Sequence, residues 1–211
     1  MHLLLKNFFI MLVLSSSYYL SSEENPYTFI DVNAQKMVFV LKENKSLFIE
    51  DRELYEQKIK EIFEPMIDFR RVSATVMGKK YYLASSKEQR AEFVEIFKDS
   101  LLDTYAETLA QWENQTITTI FSKDIENQIV DLKNIEVQQI LNTGRSKYPI
   151  SYKLRKNKNN SWSIVNIIVN GVNLGLTFRN QFQALAIKNN GNIESTINEW
   201  VSDAGDAGIS G

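Results

Sequence analysis

The 211-residue chain has no cysteine and a single histidine, His2. A zinc site of thiolates and imidazoles, a cysteine nucleophile and a Ser-His-Asp triad each require one of those side chains, so all three are excluded, as are disulfides. The missing cysteine leaves the compartment open, because oxidising compartments permit disulfides without requiring them. A basic surplus is lacking too: 24 Lys and Arg stand against 26 Asp and Glu, a net charge of -2. Neutralising phosphates needs such a surplus or a dense basic face, so nucleic acid is not expected as a partner. Nor is there an apolar run of the roughly 20 residues that span a bilayer; Phe8 to Leu14 is much shorter.

What is present reads as a globular protein. With 44% hydrophobic and 24% charged residues, the chain has the balance of a protein with a substantial core, not of a disordered one. The start has the anatomy of a secretory signal peptide over residues 1–22: Lys6 is basic, Phe8 to Leu14 is apolar, and Ser15, Ser16 and Ser17 supply small residues for cleavage. Residues 23–203 are then expected as one domain and 204–211 as a flexible tail.

Within that domain a helical part, about 33–112, precedes a strand-rich part, about 115–170, and C-terminal helices, about 174–203. Leu54, Lys58, Ile59, Ile62 and Phe63 recur at helical spacing before Pro65, and Asp68 to Met77 forms a short helix closed by Gly78. The longest helical pattern runs from Ser86 to about Trp112. Ser86 and Gln89 have capping-box spacing, and Phe93, Ile96, Phe97, Leu101, Tyr105 and Leu109 form one wide apolar arc. From Gln115 the period becomes two. Strands are expected at Ile117–Phe121, Ile135–Leu141, Tyr148–Leu154 and Trp162–Val169, with a hairpin loop around Gly144. In the last strand simple alternation puts Trp162, Ile164 and Ile168 on one face and Val165, Ile167 and Val169 on the other. Apolar on both faces, that strand is expected centrally in its sheet. The pattern gives an α+β class. A strongly curved sheet wrapped on a long helix leaves a cone-shaped interior, filled by side chains or holding an apolar ligand; periodicity leaves both open.

The residues Pro65-Met66-Ile67-Asp68-Phe69-Arg70-Arg71-Val72, Gly78, Tyr81-Tyr82, Glu88-Gln89-Arg90, Phe93, Phe97, Leu101 and Thr104-Tyr105-Ala106 resemble, in order, a known family. The match continues at Tyr152-Lys153-Leu154-Arg155, Trp162, Val165, Ile167-Ile168-Val169, Gly171-Val172, Leu174, Phe178-Arg179 and Gln181-Phe182, and covers about residues 35–201. It is the MlaC, or toluene-tolerance (Ttg2-type), family of periplasmic phospholipid-binding proteins. The sequence departs from it at an aromatic position after Gly78, usually Trp and here Tyr81 or Tyr82, and in the polar stretch Ser122 to Asn134.

The resemblance implies an NTF2-like curved antiparallel sheet covered by several helices and enclosing an apolar pocket. It also implies a periplasmic phospholipid carrier that takes no cofactor and maintains outer-membrane lipid asymmetry. Its partners would be an outer-membrane lipoprotein complex and the substrate-binding subunit of an inner-membrane ABC transporter. Phe93, Phe97, Leu101, Tyr105, Val165, Ile167, Val169, Val172, Leu174 and Phe178 become candidates for contact with acyl chains, although on sequence alone such an arc is better explained by core packing. Arg70, Arg71 and Arg179 become candidates for a phosphate head group or a docking partner, against the ordinary reading as solvated or structural ion pairs. Asp203 and Asp206 offer too few ligands for calcium. Two other classes stay open. An NTF2-like enzyme could use acid-base chemistry from Tyr105, Tyr152 or Asp68, although no spacing pairs them, and an adaptor would have a filled core.

Overall fold

The computed structural model describes residues 24–122 and 132–203; the expected signal peptide, most of the polar stretch after Ser122 and the expected tail lie outside them. The first helix, α1 (Pro26–Glu43), begins ahead of the expected boundary near residue 33. The Asn25 side chain accepts hydrogen bonds from the Tyr27 and Thr28 amides, and Pro26 occupies the first helical position, where its missing N–H costs nothing. After a short α2 (Leu47–Glu50), α3 (Arg52–Phe63) starts on Asp51 and runs into a single 3-10 turn at Glu64–Met66.

Helix α4 (Phe69–Ala84) is capped by Asp68, whose carboxylate accepts from the Arg71 amide. The expected stop at Gly78 is instead a kink, and the helix resumes beyond it. Gly78 has φ +69° and ψ 163°, a conformation close to forbidden for residues with a Cβ. A methyl group there would also lie 3.3 Å from Arg179 Nε. Helix α5 (Lys87–Ala110) carries the expected capping box, Ser86 with Gln89.

The sheet is an antiparallel meander, β1 (Thr116–Ile120), β2 (Asn134–Asn142), β3 (Lys147–Lys156), β4 (Trp162–Val169) and β5 (Val172–Asn173), in that spatial order. Two helices follow, α6 (Leu174–Lys188) and α7 (Ile193–Asn198). The expected α+β class, a sheet covered by helices, is what the chain adopts. Strand β4 is less central than its composition implied, because among the described residues only two-residue β5 and a bridge from Ile67 to Ile164 lie beyond it, and beside that bridge the Asp68 amide donates to the Ile164 carbonyl.

The alternation along β4 is corrected by a bulge. Leu154 pairs with Ile164 but Lys153 pairs with Asn166, which leaves Val165 as the extra residue. Side chains change face with every residue, so one extra residue reverses the pattern beyond it. Ile167 and Val169 therefore continue the row of Trp162 and Ile164, cross-strand from Tyr152 and Ile150, while Ile168 shares the opposite face with Ser163 and Asn166. The expected sets, Trp162, Ile164, Ile168 and Val165, Ile167, Val169, do not exist as faces.

Candidate functional site

Among the described residues the buried side chains form three clusters. One is aromatic and lies among α4, α5, α6 and α7: Phe93, Phe97, Phe178, Phe182 and Trp200 pack ring on ring, with Phe97 against Phe69, Phe93, Phe178 and Trp200 at centroid distances of 5.6–6.2 Å. A second joins the start of α1 to the sheet through Tyr27, Ile30, Val137, Leu154, Trp162 and Ile164. The third ties Leu41 of α1 to Tyr55 and Ile59 of α3 and to Leu102 and Ala106 of α5. Ile67 touches both of the first two clusters.

Between these clusters apolar residues sit at inward positions without being buried. Helix α1 is the clearest case. Its inward row is Ile30, Ala34, Met37 and Leu41, yet of these only Ile30 and Leu41 are buried. The helix is anchored at both ends, while Ala34 and Met37 between them keep accessible surface. Leu141, Tyr148, Tyr152, Ile167 and Val172 share the inner face of the sheet by register and are likewise only half-buried. The principal neighbours of α5 are α3, α4 and α7, with no strand among them, so the long helix is not pressed onto the sheet. Tyr152 retains accessible surface, although burial pushes its phenol far above the ordinary value. On the outer side of α1, a groove of about 520 Å³ runs between Val32, Gln35, Lys36, Phe39 and Val40 and Ile62 of α3.

Polar contacts hold α1 against the sheet. The Trp162 indole donates to the Glu24 carbonyl at 2.8 Å, and Thr119 Oγ1 donates to Asp31 at 2.7 Å while accepting from the fully buried Gln139 at 2.8 Å. Gln35 donates to the Ile117 carbonyl at 3.2 Å. The opposite face of the sheet is polar. There Lys153 and Ser151 both donate to Glu136 and hold its carboxyl down at about 2.

The candidate residues fall into separate groups. Phe93, Phe97 and Phe178 belong to the closed aromatic cluster, with Leu101, Tyr105 and Leu174 half-buried along its margin. Ile167, Val169 and Val172 share the inner face of the sheet, and Val165 has left that row. Arg70 and Arg71 are exposed at the start of α4, Arg71 paired with Asp68 at 3.2 Å. Arg179 lies beside Gly78, roughly 12 Å further along α4 at about 1.5 Å per residue, so the three arginines do not converge. The enzyme constellation does not assemble either: Asp68 is committed to capping α4 and pairing Arg71, and the raised Tyr152 phenol is a poor acid at neutral pH. No group of His, Cys, Asp and Glu able to hold a metal occurs among the described residues. The sequence reading placed Val38, Phe39 and Leu41 in an amphipathic stretch but named no site residue there and missed the first turns of α1, for which Asn25-Pro26 was the signal.

Comparison with known proteins places these features in a wider set. The family model described as "MlaC protein" matches residues 31–202. The toluene tolerance protein ttg2D of Pseudomonas putida is 28% identical over 186 residues, which is 87% of this chain and 83% of that protein. The intermembrane phospholipid transport system binding protein MlaC of Haemophilus influenzae is 25% identical over 190 residues, 89% of this chain and 78% of that one. A phospholipid-binding protein from Ralstonia solanacearum, solved in complex with a phospholipid, aligns with a TM-score of 0.73 at 22% identity, over 83% of this chain and 94% of the other. At that identity the likeness establishes the fold.

Proposed function

The chain belongs to the MlaC family, and on that premise we propose that it is a periplasmic phospholipid carrier which encloses acyl chains in the hollow between α1, the inner face of the sheet and the helical layer. The observation that carries this reading is the row of inward-facing apolar residues left half-buried between three separate cores. A filled core would have merged them. Two acyl chains of about 16 carbons, at about 0.8 kcal/mol per methylene, cost on the order of 25 kcal/mol to expose to water. A carrier must cover both, and its work is binding, with no bond made or broken.

In this reading Leu101, Tyr105, Ile167, Val169, Val172 and Leu174 touch the chains, and Phe93, Phe97 and Phe178 form the rigid floor behind them. Arg70 and Arg71 face solvent where a head group or a docking partner can reach them, and Arg179 supports the kink in α4. The carrier shuttles between an outer-membrane lipoprotein complex and the substrate-binding subunit of an inner-membrane ABC transporter, and so maintains outer-membrane asymmetry. Export requires removal of residues 1–22, with a mature N-terminus expected between Ser16 and Asn25 by N-terminal sequencing.

Organic extraction of the purified mature protein, followed by mass spectrometry, tests the central claim. Copurifying phospholipid is the expected result; a small polar ligand would favour the enzyme class, and no ligand under any preparation the adaptor. In the cell, deletion of the gene is expected to raise surface-exposed phospholipid.

A further inference from the structure

We propose that Tyr152 is the hydrogen-bond donor that grips an acyl carbonyl oxygen of the bound lipid, so that the hollow selects ester-linked over ether-linked chains. This rests on the carrier reading and adds a chemical preference to it. Tyr152 sits at mid-β3, cross-strand from Val137 on one side and Ile167 on the other, on the inner face of the sheet. It packs against the cluster of Tyr27, Ile30, Leu154, Trp162 and Ile164. Its hydroxyl has no hydrogen-bond partner among the described residues, yet it is not sealed off, since the residue keeps accessible surface. Tyr55 makes the contrast. Its hydroxyl is also without a partner, but the residue is 0% exposed, so nothing can reach it.

An unpaired phenol in apolar surroundings stays protonated, and burial raises Tyr152 well beyond its ordinary range, so it offers a donor at every physiological pH. The acceptor it meets must be uncharged. Lys153 and Arg155 point to the opposite face, and the only cation of β3 on the inner face is Lys156, stacked 5.1 Å from the Trp162 ring. That is roughly 13 Å along the strand at about 3.3 Å per residue. A phosphate at Tyr152 would lack a counter-charge from its own strand, whereas an ester carbonyl is a neutral acceptor that a diacyl lipid carries at the head of each chain.

The test is competitive loading of the delipidated protein with a diacyl phosphatidylglycerol and its dialkyl ether analogue of equal chain length, read by mass spectrometry of the extract. Wild type is expected to retain the diacyl lipid about five- to tenfold over the ether, the worth of one hydrogen bond. Tyr152→Phe should bring that ratio close to one by losing diacyl lipid, with the melting temperature of the delipidated protein unchanged, and Tyr55→Phe should leave it at the wild-type value. An equal ratio in wild type and Tyr152→Phe, or no preference in wild type, overturns the inference while leaving the carrier reading intact. Palmitate in the same mixture separates a free carboxyl from an ester, and its retention in preference to the diacyl lipid overturns the ester assignment. Wild type that retains none of the three overturns the carrier reading and this inference with it.

Discussion

Phe97 and Ile167 were both candidates for the lipid site, and the structure gives them opposite responses to substitution. Phe97 is 1% exposed and touches four other aromatic rings. Truncating a buried Phe to Ala costs about 3–5 kcal/mol through lost transfer energy and the cavity left behind, and each ring pair adds about 0.5–1.5 kcal/mol. Phe97→Ala therefore belongs at the top of that range. At about 2–4 °C per kcal/mol for a chain of this size, the melt should fall by about 10–20 °C. Ile167 lies on the half-buried inner face. In a closed core the extra volume of Ile167→Trp would cost about 1–3 kcal/mol in strain; over a hollow the ring takes the space of an acyl chain instead. Its melt should then stay within about 2 °C of wild type while copurifying phospholipid drops severalfold. Circular dichroism melts must be run on delipidated protein, since bound lipid raises apparent stability, and lipid per protein is counted by mass spectrometry. Phe97→Ala melting near wild type would make Phe97 a wall of the hollow. Ile167→Trp melting low with its lipid retained would mean that the inner face is already filled, and the argument from half-buried residues would fail.

Other substitutions probe single contacts. Tyr55→Phe removes a buried hydroxyl that has no partner, so urea unfolding should show stability unchanged or raised by up to about 1 kcal/mol; a clear loss would reveal a bond the structure lacks. Gly78→Ala forces a Cβ into a glycine-only conformation and should cost about 1–3 kcal/mol, without rescue by Arg179→Ala, because the strain lies in the backbone. Glu136 is held at about 2, below its ordinary 4.5, so its contribution is present above about pH 4.5 and is lost as pH falls toward 2. Both it and Lys153 are about a third or more exposed, which limits the pair to under about 1 kcal/mol. Glu136→Gln should accordingly lower stability slightly at pH 7 and match wild type at pH 2 in denaturant titrations.

The elements that local chemistry dictates were legible in the sequence. The Ser86–Gln89 box starts α5 where expected, and the loop around Gly144 joins β2 to β3. The bulge was not legible, because Trp-Ser-Ile-Val-Asn-Ile-Ile-Val alternates acceptably in two registers and the choice is made by pairing with Leu154 and Lys153. Gly78 looked like a stop, since a glycine at positive φ ends a helix unless the chain beyond it is held; here α4 continues to pack on α6 past the kink. Whether Phe97 or Ile167 bounds empty space depends on how far α5 stands from the sheet, and no residue type encodes that distance. Both are simply apolar.

The anchoring of α1 also sets an order of events in folding. Glu24, at the head of the helix, is held by Trp162, a partner 138 residues further along the chain, and Asp31 is held by Thr119, 88 residues on. Such distant contacts close large loops, and their entropy must be met before they return any stability. The first half of the helix, made earliest, is thus secured last. The apolar side chains of that half wait uncovered while the local pairings of α3 to α5 and the hairpins of the sheet form, and that interval is when the chain is most exposed to aggregation or to a chaperone.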